Sequence, residues 1–379
     1  MAKRTNEIAD VEYHTALQSR ARVIASAAMR GSPRYHGFLI RGWADKYATA
    51  GDGTVTAQRK QVLVFRELPD DQLARLREEH EVIVANPRVP AQKPAFEAAL
   101  STAQGMIGST MPVDEALLTL APRLEVISSI SVGVDNYSLP ALRARSIVLC
   151  HTPDVLTETT ADTIFALIMA TSRRLVELAN HVREGHWTDN IGEDLFGWDV
   201  HGKTLGILGF GRIGQALARR AALGFGMPVL YHSRRAVDVP ALAGHASHTP
   251  LDELLQRADI VASVLPLTIG TRGLMASREF ALMKPGAIFV NGSRGAIVDE
   301  PALLDALDLG TLRAAGLDVF ATEPLPLHSP LRTHPRITCL PHIGSATHET
   351  RHAMAELATT NLLMALAGQR APAVYPNAN

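Results

Sequence analysis

A chain of 379 residues is too long for one ordinary hydrophobic core, and usual domain sizes predict two domains. With 46% hydrophobic and 20% charged residues and a formal net charge of −1, it lacks the basic excess that recruits nucleic acid or an anionic membrane surface. It also lacks the apolar runs of about eighteen or more residues that span a membrane, and its two cysteines, Cys150 and Cys339, both lie in apolar strand-like runs, which argues against a disulfide framework or a thiolate metal site.

Residues 1–60 differ from the rest. Lys and Arg outnumber Asp and Glu, and no strand-helix alternation is visible, so the segment reads as a poorly ordered extension. MAKRTNEIAD has no apolar signal core, and Glu7, Asp10 and Glu12 argue against a mitochondrial presequence; a cytoplasmic protein is the expectation, and an upstream misassigned start remains an alternative. From Gln61 the pattern becomes regular. QVLVF, EVIV, GMIG, EVISS and IVLC are short strand candidates, separated by helical stretches such as DDQLARLREEH and VDEALLTL, which predicts a small parallel sheet covered on both faces.

One long helix is predicted next, TADTIFALIMATSRRLVELANHV, ending near Gly185. A second alternating series follows from Lys203: TLGILG, PVLY, IVASV, AIFV, AAGLDV and ITCL, six strands in all, the count of a full dinucleotide-binding sheet. The last helix, SATHETRHAMAELATTNLLMALAG, closes at Gly368 and packs most simply back on the first domain. The expected architecture is thus α/β, with two doubly wound parallel-sheet domains: a Rossmann domain at 158–341, inserted in a smaller flavodoxin-like domain built from 61–157 and 342–379.

In Gly209-Phe-Gly211-Arg-Ile-Gly214 the glycines allow a tight turn, approach of backbone to a pyrophosphate, and close helix-strand packing. The next strand, LYH, runs into Ser233, Arg234 and Arg235 where a ribose-binding carboxylate is usual. A carboxylate there would repel a 2′-phosphate, whereas a hydroxyl and two guanidiniums suit one, so NADPH is the expected cofactor, with NAD as a second possibility. Three further stretches near strand ends, NGSRGAIVDE, GLDVFATEPLP and LPHIGSAT, place Arg294, Glu323 and His342 where ligands bind in open sheets. An arginine to hold a carboxylate, a histidine to protonate a carbonyl oxygen and a glutamate to orient the imidazole and favour its charged form suit reduction of a 2-oxo acid. The 15 histidines form no HExxH pattern, and no metal is expected.

From about Gln61 onward, through SVGVDN, TPDVLTETTADTIFALIMATSRR, GKTLGILGFGRIG, SRGAIVDE, LDVFATEPLP and PHIGSATHETR, the chain resembles the D-isomer-specific 2-hydroxyacid dehydrogenases. HWTDNIGEDLFGWDVHGKTLGI and GFGMPVLYHSRR most resemble the branch that reduces glyoxylate, hydroxypyruvate or 2-ketogluconate. The resemblance implies substrate contacts from Val132, Gly133, Arg294 and His342, and catalysis by Arg294, Glu323 and His342. For the cofactor it implies Gly209, Gly211, Arg212, Ile213, Gly214, Ser233, Arg234, Arg235, Leu265, Pro266, Asp318 and Gly344. Asp299 is at best a supporting or cofactor-contacting residue. The segment with Trp187, Phe196 and Trp198 is similar to a dimer-forming arm, which implies a homodimer. Two rivals stay open: another substrate of the same family, and a non-catalytic NAD(P)-binding regulator on the same fold. Formate dehydrogenase is disfavoured, because that branch carries glutamine where Glu323 stands.

Overall fold

The structure, a computed structural model, describes residues 59–376. The expected amino-terminal extension therefore lies outside the described residues, apart from Arg59 and Lys60. Five parallel strands, β1 (Gln61–Val64), β2 (Glu81–Val84), β3 (Gly105–Gly108), β4 (Val126–Ser129) and β5 (Val148–Cys150), form a sheet in the order β2-β1-β3-β4-β5. Alternate residues of β1 feed opposite faces: Leu63 packs with Phe96, Leu100, Leu118 and Leu142, while Val62 and Val64 pack with Leu76 and Ile107. Both faces are buried, so the strands read as continuous apolar runs rather than alternating ones. The linking helices are α1 (Asp70–Glu79), α2 (Lys93–Leu100), α3 (Glu115–Thr119) and α4 (Leu139–Ala144).

The predicted long helix is in fact two, α5 (Thr157–Ser172) and α6 (Leu175–Arg183), separated by Arg174 in the left-handed region at φ 54°. The cause lies farther along the chain, where a returning segment takes over the helix end. The Trp198 N–H donates to the Ser172 carbonyl at 2.9 Å, and Gly197 lies so close to Arg173 that a Cβ there would sit 2.8 Å from its Cα. The Arg174 guanidinium in turn donates to the carbonyl of Asp194 and to both carboxylate oxygens of Glu177. Helical propensity through SRRL is overridden by these tertiary contacts.

The second sheet has seven strands, not six. β6 (Leu205–Leu208), β7 (Val229–His232), β8 (Ala246–His248), β9 (Ile260–Ser263), β10 (Ala287–Asn291), β11 (Leu312–Leu317) and β12 (Ile337–Cys339) are all parallel, in the order β12-β11-β10-β9-β6-β7-β8. The missed strand, β8, is a three-residue edge strand with only β7 beside it and with two of its residues exposed, so it has no apolar signature. The helices are α7 (Arg212–Arg219), α8 (Leu251–Arg257), α9 (Ser277–Leu282) and α10 (Glu300–Asp308). Asp299 caps α10, its side chain accepting from Ala302 N at 3.1 Å, a supporting task in the turn after β10. The chain leaves β6 through β7 and β8, then returns to place β9 on the other side of β6. The crevice at this switch point, beyond the carboxyl ends of β6 and β9, is where such sheets bind ligands.

The final helix, α11 (His348–Leu366), is capped by the Thr347 hydroxyl and lies on the first sheet. Its Met354, Ala358, Leu362 and Leu366 bury against Val62, Val64, Ile107 and Val126, and Ser128 donates to the Ala358 carbonyl at 2.7 Å. Among the described residues no helix is long and apolar enough to cross a membrane.

Candidate active site

The glycine turn after β6 has the geometry its spacing predicts. Gly209 is at φ 99°, open only to a residue without a Cβ at ordinary cost, and it abuts the Val264–Leu265 backbone at the end of β9. A Cβ on Gly214 would lie 2.2 Å from the Gly209 carbonyl oxygen, so the start of α7 can close on β6 only with glycine there. Among the described residues no side chain caps the amino end of α7 at Gly211, so its first N–H groups are not spent on a side-chain cap. Arg212 forms an ion pair with Asp154, and Ile213 packs between the apolar clusters of the two sheets rather than lying free in the crevice. Pro266 is exposed at the rim, its carbonyl accepting from the Thr271 hydroxyl at 2.7 Å.

Arg294 follows β10 on a turn built by Asn291. The buried Asn291 amide donates to the Arg294 carbonyl at 3.0 Å, and its oxygen accepts from both the N–H and the hydroxyl of Ser293. The guanidinium crosses to the loop after β4. It pairs with Asp135 at 3.0 Å and lies so close to Gly133 that a Cβ there would be 1.7 Å from one of its nitrogens. Val132 is held in the same loop by His151, whose Nδ1 donates to the Val132 carbonyl at 3.2 Å. The sequence-predicted Val132, Gly133 and Arg294 are thus adjacent, and Asp135, Asn291 and His151 are additions that sequence reasoning did not single out.

His342 and Glu323 meet. His342 Nδ1 lies 2.7 Å from Glu323 Oε2, and since a carboxylate oxygen accepts, Nδ1 carries the proton, while Nε2 of this half-exposed side chain has no partner among the described residues. Glu323 Oε1 accepts from the Phe320 N–H at 3.0 Å. Burial works to raise the Glu323 carboxyl, but the hydrogen bonds from His342 and Phe320 and the positive charges of His342 and Arg294 outweigh it and hold the group below its ordinary range. A carboxylate shifted in that direction stabilises the fold above its unfolded pKa, a contribution lost as pH falls through the folded value.

His342 itself is at φ 54°, a left-handed conformation that costs about a kcal/mol or more for a non-glycine residue. Asp318 holds it there. Its two carboxylate oxygens accept from the N–H groups of Ile343, at 2.8 Å, and Gly344, at 2.9 Å, the two residues after the histidine. At 2% exposure Asp318 is turned toward this loop, although the resemblance places it among the cofactor contacts; Gly344 is likewise buried in the loop, its carbonyl accepting from Thr163. Burial raises the Asp318 carboxyl more than the two backbone donors and the His342 charge lower it, so its ionised form costs stability at neutral pH and that cost recedes as pH falls through the raised value.

The turns carrying Arg294 and Glu323 touch backbone to backbone at Gly295, where a Cβ would lie 1.8 Å from the Phe320 carbonyl carbon. Gly295→Ala should therefore force the two turns apart. We expect a stability loss of about 1–3 kcal/mol in urea denaturation, together with a loss of turnover larger than the unfolded fraction explains. A fully active, equally stable variant would show that the two turns are not rigidly coupled.

Ser233 follows β7 with its hydroxyl donating to the Arg235 carbonyl at 2.7 Å, folding the loop on itself. Arg234 and Arg235 are exposed, and neither guanidinium has an ion-pair or hydrogen-bond partner among the described residues. Trp187 and Phe196 are exposed in the segment after α6, while Trp198 carries the Arg313 guanidinium 4.3 Å over its ring.

Residues 165–344 match the family described as D-isomer specific 2-hydroxyacid dehydrogenase, NAD binding domain. A glyoxylate/hydroxypyruvate reductase B of Escherichia fergusonii is 51% identical over 310 residues, covering 82% of this chain and 96% of that protein. A Klebsiella pneumoniae relative of the same name is 50% identical with the same coverage. Among solved structures, a Thermus thermophilus protein superposes with a TM-score of 0.76 at 44% identity, over 83% of this chain and 99% of that one. An NADPH-dependent glyoxylate/hydroxypyruvate reductase of Sinorhizobium meliloti, in complex with NADP and malonate, does so with a TM-score of 0.76 at 32% identity, over 84% of this chain and 98% of its own. With its two parallel sheets, its glycine turn and this extent of identity, the chain belongs to the D-isomer-specific 2-hydroxyacid dehydrogenase family.

Proposed function

We propose that this protein is an NADPH-preferring reductase that converts small 2-oxo acids, such as glyoxylate, hydroxypyruvate or 2-ketogluconate, to D-2-hydroxy acids. The observation that carries the reading is the His342–Glu323 pair at 2.7 Å, beside an arginine that reaches across to the backbone of Gly133. In this reading residues 61–157 and 342–379 bind the substrate and 158–341 bind the cofactor. The chain's own groups fit a dinucleotide: a glycine cradle that a Cβ would fill, an uncapped amino end on α7, and two unpaired arginines past β7.

When bound, a nicotinamide cofactor supplies a hydride. Arg294 and the Val132–Gly133 backbone hold the substrate carboxylate, the guanidinium offering a planar pair of donors. His342 Nε2 gives a proton to the carbonyl oxygen as the charge on that oxygen develops. Glu323 fixes the imidazole through Nδ1 and stabilises its positive form, while Asp318 fixes the backbone on which the ring is carried. The names of the Escherichia fergusonii and Sinorhizobium meliloti relatives support the substrate class, and the NADP bound to the latter supports the cofactor. Exposed Leu175, Val176, Val182, Trp187, Ile191 and Phe196, along α6 and the segment after it, support pairing of two copies.

The test is oxidation of NADPH followed by absorbance with a panel of 2-oxo acids, repeated with NADH. No turnover with any member would favour the non-catalytic regulator. Replacing Arg234 and Arg235 together by alanine is expected to raise the NADPH Michaelis constant by roughly one to two decades, because two charge-assisted contacts to a phosphate dianion are lost, and to leave NADH nearly unchanged.

A further inference from the structure

The loop that carries Arg234 and Arg235 is held by side chains outside it. At its start, His248 on the edge strand β8 places Nε2 2.9 Å from the Ser233 carbonyl; a carbonyl only accepts, so the imidazole donates. A reciprocal bond runs the other way, from His232 Nδ1 on β7 to the Thr249 carbonyl at 3.2 Å, and the two imidazole rings lie nearly parallel with centroids 6.4 Å apart. At the far end, the Tyr231 hydroxyl donates to the Val237 carbonyl at 3.1 Å and accepts from the Val237 N–H at 3.0 Å. The Tyr231 ring is buried and stacked on Phe210, inside the glycine turn, with centroids 3.7 Å apart and planes 10° apart. Within the loop, Ser233 donates to the Arg235 carbonyl. Both ends of the Ser233–Val237 loop are thus pinned, one of them to the glycine turn itself, while its two exposed guanidiniums have no partner among the described residues.

Two adjacent arginines on a free loop would lose their conformational freedom on meeting a phosphate, at a cost of about 0.5–1.5 kcal/mol for each long side chain and more for the backbone. A backbone already fixed avoids the larger part of that cost. We propose that Tyr231 and His248 are positioning residues for cofactor choice: they hold the Ser233–Val237 loop at a set distance from the glycine turn, so that Arg234 and Arg235 meet the 2′-phosphate of NADPH while the pyrophosphate rests on α7. Neither residue touches the reacting atoms. This rests on the NADPH reading above, and both residues act only on the part of the cofactor that NADH lacks.

The test uses the full-length protein, with NADPH and NADH dissociation constants from fluorescence titration without any 2-oxo acid measured beside steady-state kinetics, for four variants: His248→Ala, His248→Gln, Tyr231→Phe and the Arg234→Ala/Arg235→Ala pair. For His248→Ala and Tyr231→Phe the expected result is a rise in the NADPH Michaelis constant of about five- to tenfold, the worth of one lost hydrogen bond, with kcat and the NADH constant within about twofold of the parent. His248→Gln keeps a donor near the position of Nε2 and should recover much of the loss. Tyr231→Phe keeps the ring stack and the fold, so its effect reports the hydroxyl alone. Equal losses with both cofactors, or unchanged NADPH constants in both single variants while the arginine pair shows its selective loss, would overturn the proposal. An arginine pair with no selective loss would instead overturn the NADPH reading on which it rests.

Discussion

Replacing His342 by alanine is expected to lower turnover by roughly two to four decades while leaving NADPH affinity nearly intact, since the glycine turn and the Ser233–Val237 loop are untouched. The pH profile carries the sharper test. Reduction consumes a proton carried on Nε2, so its rate should fall as pH rises, and oxidation of the hydroxy acid should rise over the same interval. Glu323 is held below the usual carboxylate range, so it is charged throughout that interval. Glu323→Gln keeps the shape, removes the charge, and should move the limb to lower pH. Stopped-flow or steady-state rates across pH, with both variants, decide the matter. Near-parental turnover in the alanine variant, or a limb indifferent to both changes, would place the acid elsewhere.

Arg294→Ala should reduce kcat/KM for the 2-oxo acid by about two to three decades, the equivalent of a lost bidentate, charge-assisted contact. Asp135 is exposed, so losing its partner should cost little stability. Arg294→Lys should recover only a fraction, because a lysine ammonium is a point charge and cannot reproduce the planar fork. Cofactor affinity, measured by fluorescence titration with NADPH alone, should stay constant in both variants. A loss of cofactor binding equal to the loss of kcat/KM would assign Arg294 to the cofactor instead of the substrate.

Much of this arrangement was legible in the sequence because it is local. QVLVF and TLGILG are strands by composition alone, and the glycine spacing of GFGRIG specifies a turn whose steric reasons the close approach of Gly214 to the Gly209 carbonyl makes explicit. Arg294, Glu323 and His342 were recognisable because each follows the end of a strand in a stretch with polar residues that a plain turn does not need. What escaped was non-local. The break at Arg174 depends on Trp198 and Asp194 returning to the helix end, and β8 exists because β7 offers it an edge, not because ASH favours a strand. Asn291 looks like an ordinary strand-end residue until the turn it holds is seen, and Asp318, which the resemblance counts among the cofactor contacts, gives no sign in the sequence of the loop it holds. Asp135 lies inside a recognised motif, yet its pairing with Arg294 joins residues far apart in the chain.

The placement of α11 sets the order in which this fold can be completed. During synthesis, Val62, Val64, Ile107 and Val126 leave the ribosome well before the helix that covers them. The entire second sheet must be translated in between, with one apolar face of the first sheet open to water or to a chaperone. The segment around α11 then adds further ties: Lys60 donates to the Leu366 carbonyl, which joins the two ends of the described chain, and the His151 N–H after β5 donates to the Ala373 carbonyl. A product stalled or terminated before α11 would thus expose a sticky β-surface even though its glycine turn and both arginine-bearing loops were complete, so the quality of the nascent protein is decided by residues that take no part in holding the dinucleotide.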